Sequence, residues 1–502
     1  MATLSLVKQE IQFRIKSCQE YAQASFAGVV TLALAVVLLI SSYSLETGQF
    51  KPIALIISGV YFVFALLQFG VWLKIRTDLI RRGELSRSTR SLGYVLLLSL
   101  LSANVFIATA AFQLIKKNKS ALYTLAVYTL LTTIIVFAVS ALNLFKPYVA
   151  DWFLIGMFLL ISAAVLQLIS LIIVAKYAHL PVMPRWLYFV AAVLILTAAI
   201  GNLFALFLGI LIISKLRDKD HTSGSKLGEV IEQISRSSTS MLGMFFILFL
   251  VHLAISSYLT FDYDMAIVNN YSAILQSPNL TYPLGTDNFG RDLFSRIVFG
   301  ARISLVVGLL STLIPFVVGG LLGVISGYYG RQTDNIIMRL LDILYAIPGI
   351  LLAIAIIAAF GANTFNLIMA LSVGSIPTFA RTMRANVMLV STLEYVQAAR
   401  AFGASDMRIM FKHVVPNSLA PMIVKSTLTI GTAVIATSSL SYLGLGVEPH
   451  IPEWGNILKL GSAYLESHAF TAIYPGLAII ALVLSFNFLG DGLRDALDPR
   501  HD

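Results

Sequence analysis

The chain has 502 residues, of which 58% are hydrophobic and only 12% charged, with a mean hydropathy of +0.85. A soluble domain of that composition would expose too much apolar surface, which leaves an all-α polytopic membrane protein. The formal charge of +10 is spread over alternate loops with no aromatic-interleaved basic platform, so it marks topology and excludes nucleic acid as a partner. A single cysteine, Cys18, excludes a disulfide framework and a multi-cysteine metal site.

Residues 1–25 carry Lys8, Glu10, Arg14, Lys16 and Glu20 ahead of the first apolar run, and read as an uncleaved cytoplasmic segment. Apolar runs follow at 26–43, 53–73, 92–115, 121–145, 152–175 and 186–214, each near or above the roughly 20 residues that cross a bilayer. They predict a six-span N-terminal membrane region, 26–214, of no evident chemistry. The loop 74–90 holds six Lys or Arg and fixes its side as cytoplasmic. Lys116, Lys117 and Lys119 then fall outside, against that rule.

The stretch 215–240 is polar and rich in Ser, and reads as a cytoplasmic linker. After it, runs at 241–260, 301–327, 340–360, 365–380, 422–443 and 470–489 predict a second six-helix set, residues 241–502. The total is about 12 transmembrane helices with both termini cytoplasmic. This puts 261–300 outside and 394–417 inside.

In the outer loop, LGTDNFGRDLFSRIVFGARISL (284–305) offers Thr286 or Asp287 as the cap of a short interfacial helix ending at Gly300. Its charges, Asp287, Arg291, Asp292 and Arg296, alternate in sign and predict local pairing, with no His or Cys to complete a metal site. Within the next spans, Gly319 and Gly323 form a small-xxx-small seam for close packing, and Asp342 is placed to pair with Arg339.

The inner stretch EYVQAARAFGASDMRIMFKHVVPN (394–417) predicts a helix, a turn and a second helix. Gly403 ends the first helix, because glycine adopts a left-handed conformation cheaply. Ser405 caps the second, whose apolar side is Met407, Met410, Phe411 and Val414. Pro416 breaks that helix and Asn417 begins the return to the membrane.

The order Gln397-Ala398-Ala399, Gly403 and Pro416 resembles the coupling loop of ATP-binding-cassette (ABC) importer permeases. AARAFGAS with HVVPN, and GTDNFGRDLFSR (285–296), resemble the dipeptide, oligopeptide and nickel branch. Three further stretches, from Met338, Ser441 and Tyr474, extend the resemblance over residues 241–502, about half the chain. It implies a permease domain moving peptides or a related small solute across the bacterial cytoplasmic (inner) membrane. The implied partners are a second homologous permease, two ABC ATPase domains that hold ATP and Mg, an extracytoplasmic substrate-binding protein and membrane lipid. The implied coupling loop is Glu394, Gln397, Ala398, Ala399, Arg400, Gly403, Asp406, Arg408, Pro416 and Asn417. Of these, Ala398, Ala399 and Gly403 supply shape, and Arg400, Asp406 and Arg408 polar contacts. Gln397 stands where the family has glutamate. The implied outer motif is Gly285, Thr286, Asp287, Gly290, Arg291 and Asp292.

No phosphate-binding GxxxxGK[ST] or HExxH sequence occurs and the seven histidines are scattered, so no catalytic residue, cofactor or metal site is expected on this chain. His252, inside a span, reads as a packing histidine. Two other classes stay open: an ion-coupled secondary transporter, and a membrane scaffold or receptor with a degenerate permease half.

Overall fold

The computed structural model describes residues 12–15, 17–44, 49–50, 52–116, 120–178, 180, 183–217 and 226–497. Lys8, Glu10, Lys16, Lys117, Lys119, His179, His221, His501 and the 218–225 part of the polar stretch lie outside the described residues. The chain divides into two compact units: Met1–Ala138 with Ser162–Ala199 and Leu203–Ser238, and Val139–Ile161 with Ile200–Asn202 and Thr239–Asp502.

The first unit opens with α1 (Gln19–Ser42) and α2 (Pro52–Arg82), joined through an antiparallel pair of two-residue strands, Tyr43–Ser44 and Gln49–Phe50. The run 92–115, expected to be one span, is broken. Helix α3 (Arg87–Leu96) passes into a 3₁₀ stretch, the chain turns at left-handed Ala103 (φ +53°), and α4 (Val105–Ile115) starts afresh. Asn104 makes the break: its side chain accepts from Ile107 N as an N-cap and bonds Thr31, so an amide buried among apolar residues is satisfied only outside a continuous helix.

Helices of 10 and 11 residues reach roughly 15–17 Å, about half the hydrocarbon thickness. Arg90 Nη1 donates to Leu114 O (3.2 Å) and Lys116 O (3.1 Å), so the two ends of this hairpin lie together. The same plan recurs. After α5 (Ala121–Ala141) and α6 (Phe153–Tyr177), the expected span 186–214 is instead α7 (Leu187–Thr197), a turn at left-handed Gly201 (φ +106°) followed by Asn202, and α8 (Leu203–Arg217). Two spans and a half-helix hairpin, twice over, replace six spans.

Buried polar pairs tie these helices together: Gln113 Nε2 donates to Thr124 Oγ1, Thr133 Oγ1 to Gln167 Oε1, and Gln167 Nε2 to Thr197 Oγ1. A Cβ on Gly93 would stand 2.6 Å from Ile115 Cγ1, and one on Gly209 2.7 Å from Ile195 Cγ1, so each hairpin closes over a glycine. Lys116 Nζ donates to Ala175 O (2.6 Å) and Lys215 Nζ to Ala178 O (2.9 Å). These bonds place Lys116 at the same end as the foot of α6. A short amphipathic helix, α9 (Lys226–Arg236), occupies part of the expected linker.

The second unit holds α10 (Ser238–Thr260), α11 (Leu293–Tyr329), α12 (Arg331–Tyr345), α13 (Gly349–Phe360) and α14 (Thr364–Ser391). Three short pieces follow, α15 (Glu394–Ala401), α16 (Asp406–Ile409) and α17 (Val415–Ser418), then α18 (Ala420–Leu443), α19 (Trp454–Ser462) and α20 (Phe470–Leu497). Among the described residues eight helices are long and apolar enough to cross a membrane, or nine if α12 and α13, bent by 80°, form one span.

Helix α11 does not end at Gly300. It runs 37 residues, about 55 Å, and lies against α14 along Gly319, Gly323 and Gly327. A Cβ at Gly319 would stand 2.7 Å from Ile376 O and one at Gly327 2.8 Å from Arg384 O, which confirms the small-residue seam and lengthens it by a turn. Asp342 pairs with Arg381 (2.5 Å) rather than with Arg339, whose Nε donates to Asn335 Oδ1 (2.7 Å). Helical side chains lean towards the N-terminus, so Arg339 reaches back four residues and not forward three. His252 is buried, and neither ring nitrogen has a hydrogen-bond partner among the described residues.

Candidate functional site: the two ends of α11

The 284–305 motif forms the entry to α11. Asp287 is a buried hub: its Oδ1 accepts from Phe289 N (2.9 Å) and Arg291 N (3.0 Å), and its Oδ2 from Arg291 Nε (2.7 Å), with Arg296 Nε at 3.5 Å. Thr286 donates to Ala273 O and accepts from Gln276 N (2.8 Å). Neither of them caps a helix. Asp292 does so, accepting from Phe294 N (3.2 Å) and Ser295 N (3.0 Å) at the start of α11.

Gly285 (φ +79°) and Gly290 (φ +73°) turn the chain left-handed, and a side chain at Gly290 would overlap the Asn270 carbonyl. The expected pairing within the motif holds for Asp287. Asp292, by contrast, takes its cation from elsewhere: Lys146 Nζ lies 2.6 Å from Oδ2, with 2% and 0% of the two side chains exposed. Lys146 also donates to Ser295 Oγ (2.7 Å) and stands over the rings of Phe261 and Phe294. Burial draws the Lys146 ammonium below the ordinary lysine range, against the pull of Asp292.

Beside this entry, fully buried Trp454 donates from Nε1 to Ile297 O (2.9 Å), and its indole and Pro452 O come so close to Gly300 that a Cβ there would meet both within 2.7 Å. Sequence reasoning singled out neither Lys146 nor Trp454. The signal for the lysine was present in KPYVADW, a lone cation in a short loop between two apolar runs.

At the other end of α11, α15 has Leu393 as its N-cap residue and closes at Phe402, and Gly403 takes φ +77° as expected. Ser405 holds the N-cap position of α16, although its side chain makes no capping bond. Pro416 does not break the second helix. The backbone widens into a π-turn at Met410–Val414, which makes room for a ring that has no N–H and would press on the carbonyl of Lys412, and Pro416 then sits in the first turn of α17. Asn417 Nδ2 donates back to His413 O (2.7 Å).

The widened turn changes the apolar face. Ile409, Met410 and Val414 are buried with Val396, Phe379 and Met383, whereas Met407 and Phe411 point out. Phe402 is 91% exposed. Glu394, Gln397, Ala398, Arg400, Gly403, Asp406, Arg408, Pro416 and Asn417 are all exposed, and Ala399 is half-buried. Gln397 Nε2 donates to Thr392 O (3.1 Å), a bond within the loop.

The loop is also tied to α11. Tyr328, in the last turn of α11, donates to Asp406 Oδ1 (2.6 Å) and accepts from Arg400 Nη2 (3.4 Å). Arg384, on the neighbouring α14, grips Asp334 with two donors. The loop and the 284–305 motif are therefore not one site. They occupy the two ends of a single helix.

No group of three or more His, Cys, Asp or Glu among the described residues is arranged to hold a metal. The family described as "Binding-protein-dependent transport system inner membrane component" matches residues 319–502. The glutathione transport system permease protein GsiD of Pectobacterium atrosepticum is 43% identical over 255 residues, 51% of this chain and 85% of its own length. The dipeptide transport system permease protein DppC of Alkalihalophilus pseudofirmus is 41% identical over 283 residues, 56% of this chain and 93% of its own length. A solved chain of the inward-facing MetNI methionine ABC transporter is 22% identical, with a TM-score of 0.35, over 40% of this chain and 97% of that one. With the relatives matched over nearly their whole length, this chain belongs to the inner-membrane components of binding-protein-dependent transport systems, as a permease subunit of an ABC importer and not an enzyme.

Proposed function

We propose that the chain passes peptides or a related small solute across a bacterial cytoplasmic membrane, and that the loop 394–417 is where an ATPase subunit docks. The observation that carries this reading is the outward set of Phe402, Met407 and Phe411 on a loop whose backbone is otherwise held against α11 and α14. Large apolar side chains exposed on a short polar loop favour a surface made for a partner. Ala398 keeps that surface low, and Arg400 and Arg408 border it with positive charge.

The loop acts as a lever on α11 through Tyr328, and the close seam between α11 and α14 passes a push along as rigid-body movement. The remaining partners are a second permease, two ATPase domains that hold ATP and Mg, a substrate-binding protein facing the loops at the far end of α11, and lipid. Relatives named for dipeptide and glutathione support a short peptide as cargo. Gln397 supplies an amide where the family's glutamate would supply charge, so docking here rests on shape and on the two arginines.

Both termini face the cytoplasm in this reading. The half-helix hairpin returns Lys116 to the side of Arg90 and Lys215, which supports its lying on the cytoplasmic side, as the positive-inside rule requires. A Lys116→Cys chain in intact cells is then labelled only after permeabilisation. Labelling by an impermeant reagent from outside would refute this orientation.

Affinity purification of the tagged chain in mild detergent tests the importer reading. Native chain is expected to bring down an ATPase and a second permease, and Gly403→Asp to lose the ATPase while keeping the permease. A Cβ at Gly403 meets nothing within 4 Å, so the change reaches a docking partner before it disturbs packing. Well-folded native chain recovered alone would overturn the reading in favour of ion-coupled transport.

A further inference from the structure

The N-terminal region contributes two pieces to the permease unit. Val139–Ile161 is the hairpin from the end of α5 to the start of α6, and Ile200–Asn202 is the tip between α7 and α8. Both pieces fasten on α10. Ser140 Oγ bonds Thr260 Oγ1 (3.1 Å), Asn143 Nδ2 donates to Thr260 O (2.8 Å), and Gly156 packs so closely that a Cβ would stand 2.8 Å from Thr260 Cγ2. About 8–12 Å along the same helix, a Cβ at Gly201 would stand 2.8 Å from Ile255 Cβ and 3.1 Å from His252 Cα.

From the hairpin, Lys146 crosses to the start of α11. The charge count there explains its presence. Asp287 is shared by Arg291 and Arg296, and among the described residues Lys146 is the sole cation within ion-pair distance of Asp292. Asp292 is fully buried, so without Lys146 it would be a carboxylate held by two backbone N–H groups and no counter-charge. Lys146 is itself buried, beside Ser295 and over the rings of Phe261 and Phe294.

We propose that the N-terminal membrane region is a built-in clamp on the first two permease helices, with Lys146 the positioning residue that completes the charge set of the 284–305 motif and fixes the outer end of α11. The permease half of this chain is then not self-sufficient. Its α10 carries a surface cut to receive the hairpin, and its α11 cap borrows its cation from a segment that precedes the permease in sequence. The inference is independent of the importer reading, since it concerns how the chain holds itself and not what it carries.

The test uses the full chain purified in detergent. Lys146→Met and Asp292→Asn are each expected to lower the melting temperature by roughly 5–10 °C, and the double variant to recover at least half of the summed loss. Plain loss of packing would give no such recovery, so additive losses, or singles that melt with the native chain, overturn the proposal. A second measurement needs no substitution at the site. A protease site placed within 218–225 is cut after purification, and the two pieces are passed over a sizing column. Pieces that travel together, and separate more readily when Asn143→Ala removes the bond to Thr260, support the clamp. Pieces that part while the permease piece keeps the melting temperature of the whole chain refute it.

Discussion

The two ends of α11 are built on opposite principles. At the 284–305 end the donors and acceptors of the motif are turned inwards: Asp287 takes three hydrogen bonds, Asp292 caps the helix and meets Lys146, and Trp454 reaches Ile297 O. At the 394–417 end the loop buries a strip of apolar residues and leaves Phe402, Arg408 and Phe411 outside. Both stretches carry the same kind of family resemblance, yet the first is recognisable because its fold needs those residues. In the second only Gly403, at its left-handed turn, and Asp406 and Arg400, at Tyr328, meet such a need. Left-handed glycines make the contrast concrete, since Gly290 has the Asn270 carbonyl against it and Gly403 has open space.

Asp287→Ala presses hardest on that comparison. It leaves two buried guanidinium groups, Arg291 and Arg296, without their carboxylate and removes the acceptor for two backbone N–H groups. A loss of about 3–5 kcal/mol is expected, seen as a large fall in folded yield and melting temperature in detergent. Melting within a degree of the native chain would show that the buried charges are not interdependent. Gly403→Asp should cost far less, about 1 kcal/mol from the strained φ, while abolishing ATPase capture. If Gly403→Asp proved the less stable of the two, the contrast between a self-directed and a partner-directed motif would fail.

Much of this was legible in the sequence, for physical reasons that also explain what was not. Gly403 marked a turn because only glycine accepts that backbone cheaply, and the seam at Gly319 and Gly323 showed because small residues four apart share one helix face. The broken runs 92–115 and 186–214 misled because hydropathy averages over a window and weighs one asparagine lightly. Asn104 and Gly201-Asn202 decide the backbone through a cap and a left-handed turn, neither of which alters the mean. Six continuous spans would also have kept Lys146 and Asp292 on opposite faces, so the buried pair became visible only once the hairpins were. Pro416 misled in the other direction: proline reads as a stop, and the π-turn that accommodates it has no sequence signature.

The smallest effect concerns Glu453, a third buried acid, which unlike Asp287 and Asp292 has no cation within ion-pair distance among the described residues. It caps α19, accepting from Gly455 N (2.8 Å) and Asn456 N (3.1 Å), and Ser438 Oγ lies at 3.3 Å. Burial pushes its carboxyl above the ordinary glutamate range, against those backbone donors, which pull it down. Its folded pKa therefore exceeds its unfolded one. Below the unfolded pKa both states hold the proton and the stability is whole. As pH rises from there through the folded pKa, the unfolded chain gives up its proton first and stability drains away, by at most about 1.4 kcal/mol per pH unit. Glu453→Gln keeps an oxygen for the two N–H groups and has nothing to ionise. The variant should consequently gain on the native chain, by a few degrees in melting temperature, as pH is raised from 4 to 7. A gap that stays flat over that range would mean that the backbone donors outweigh burial at Glu453.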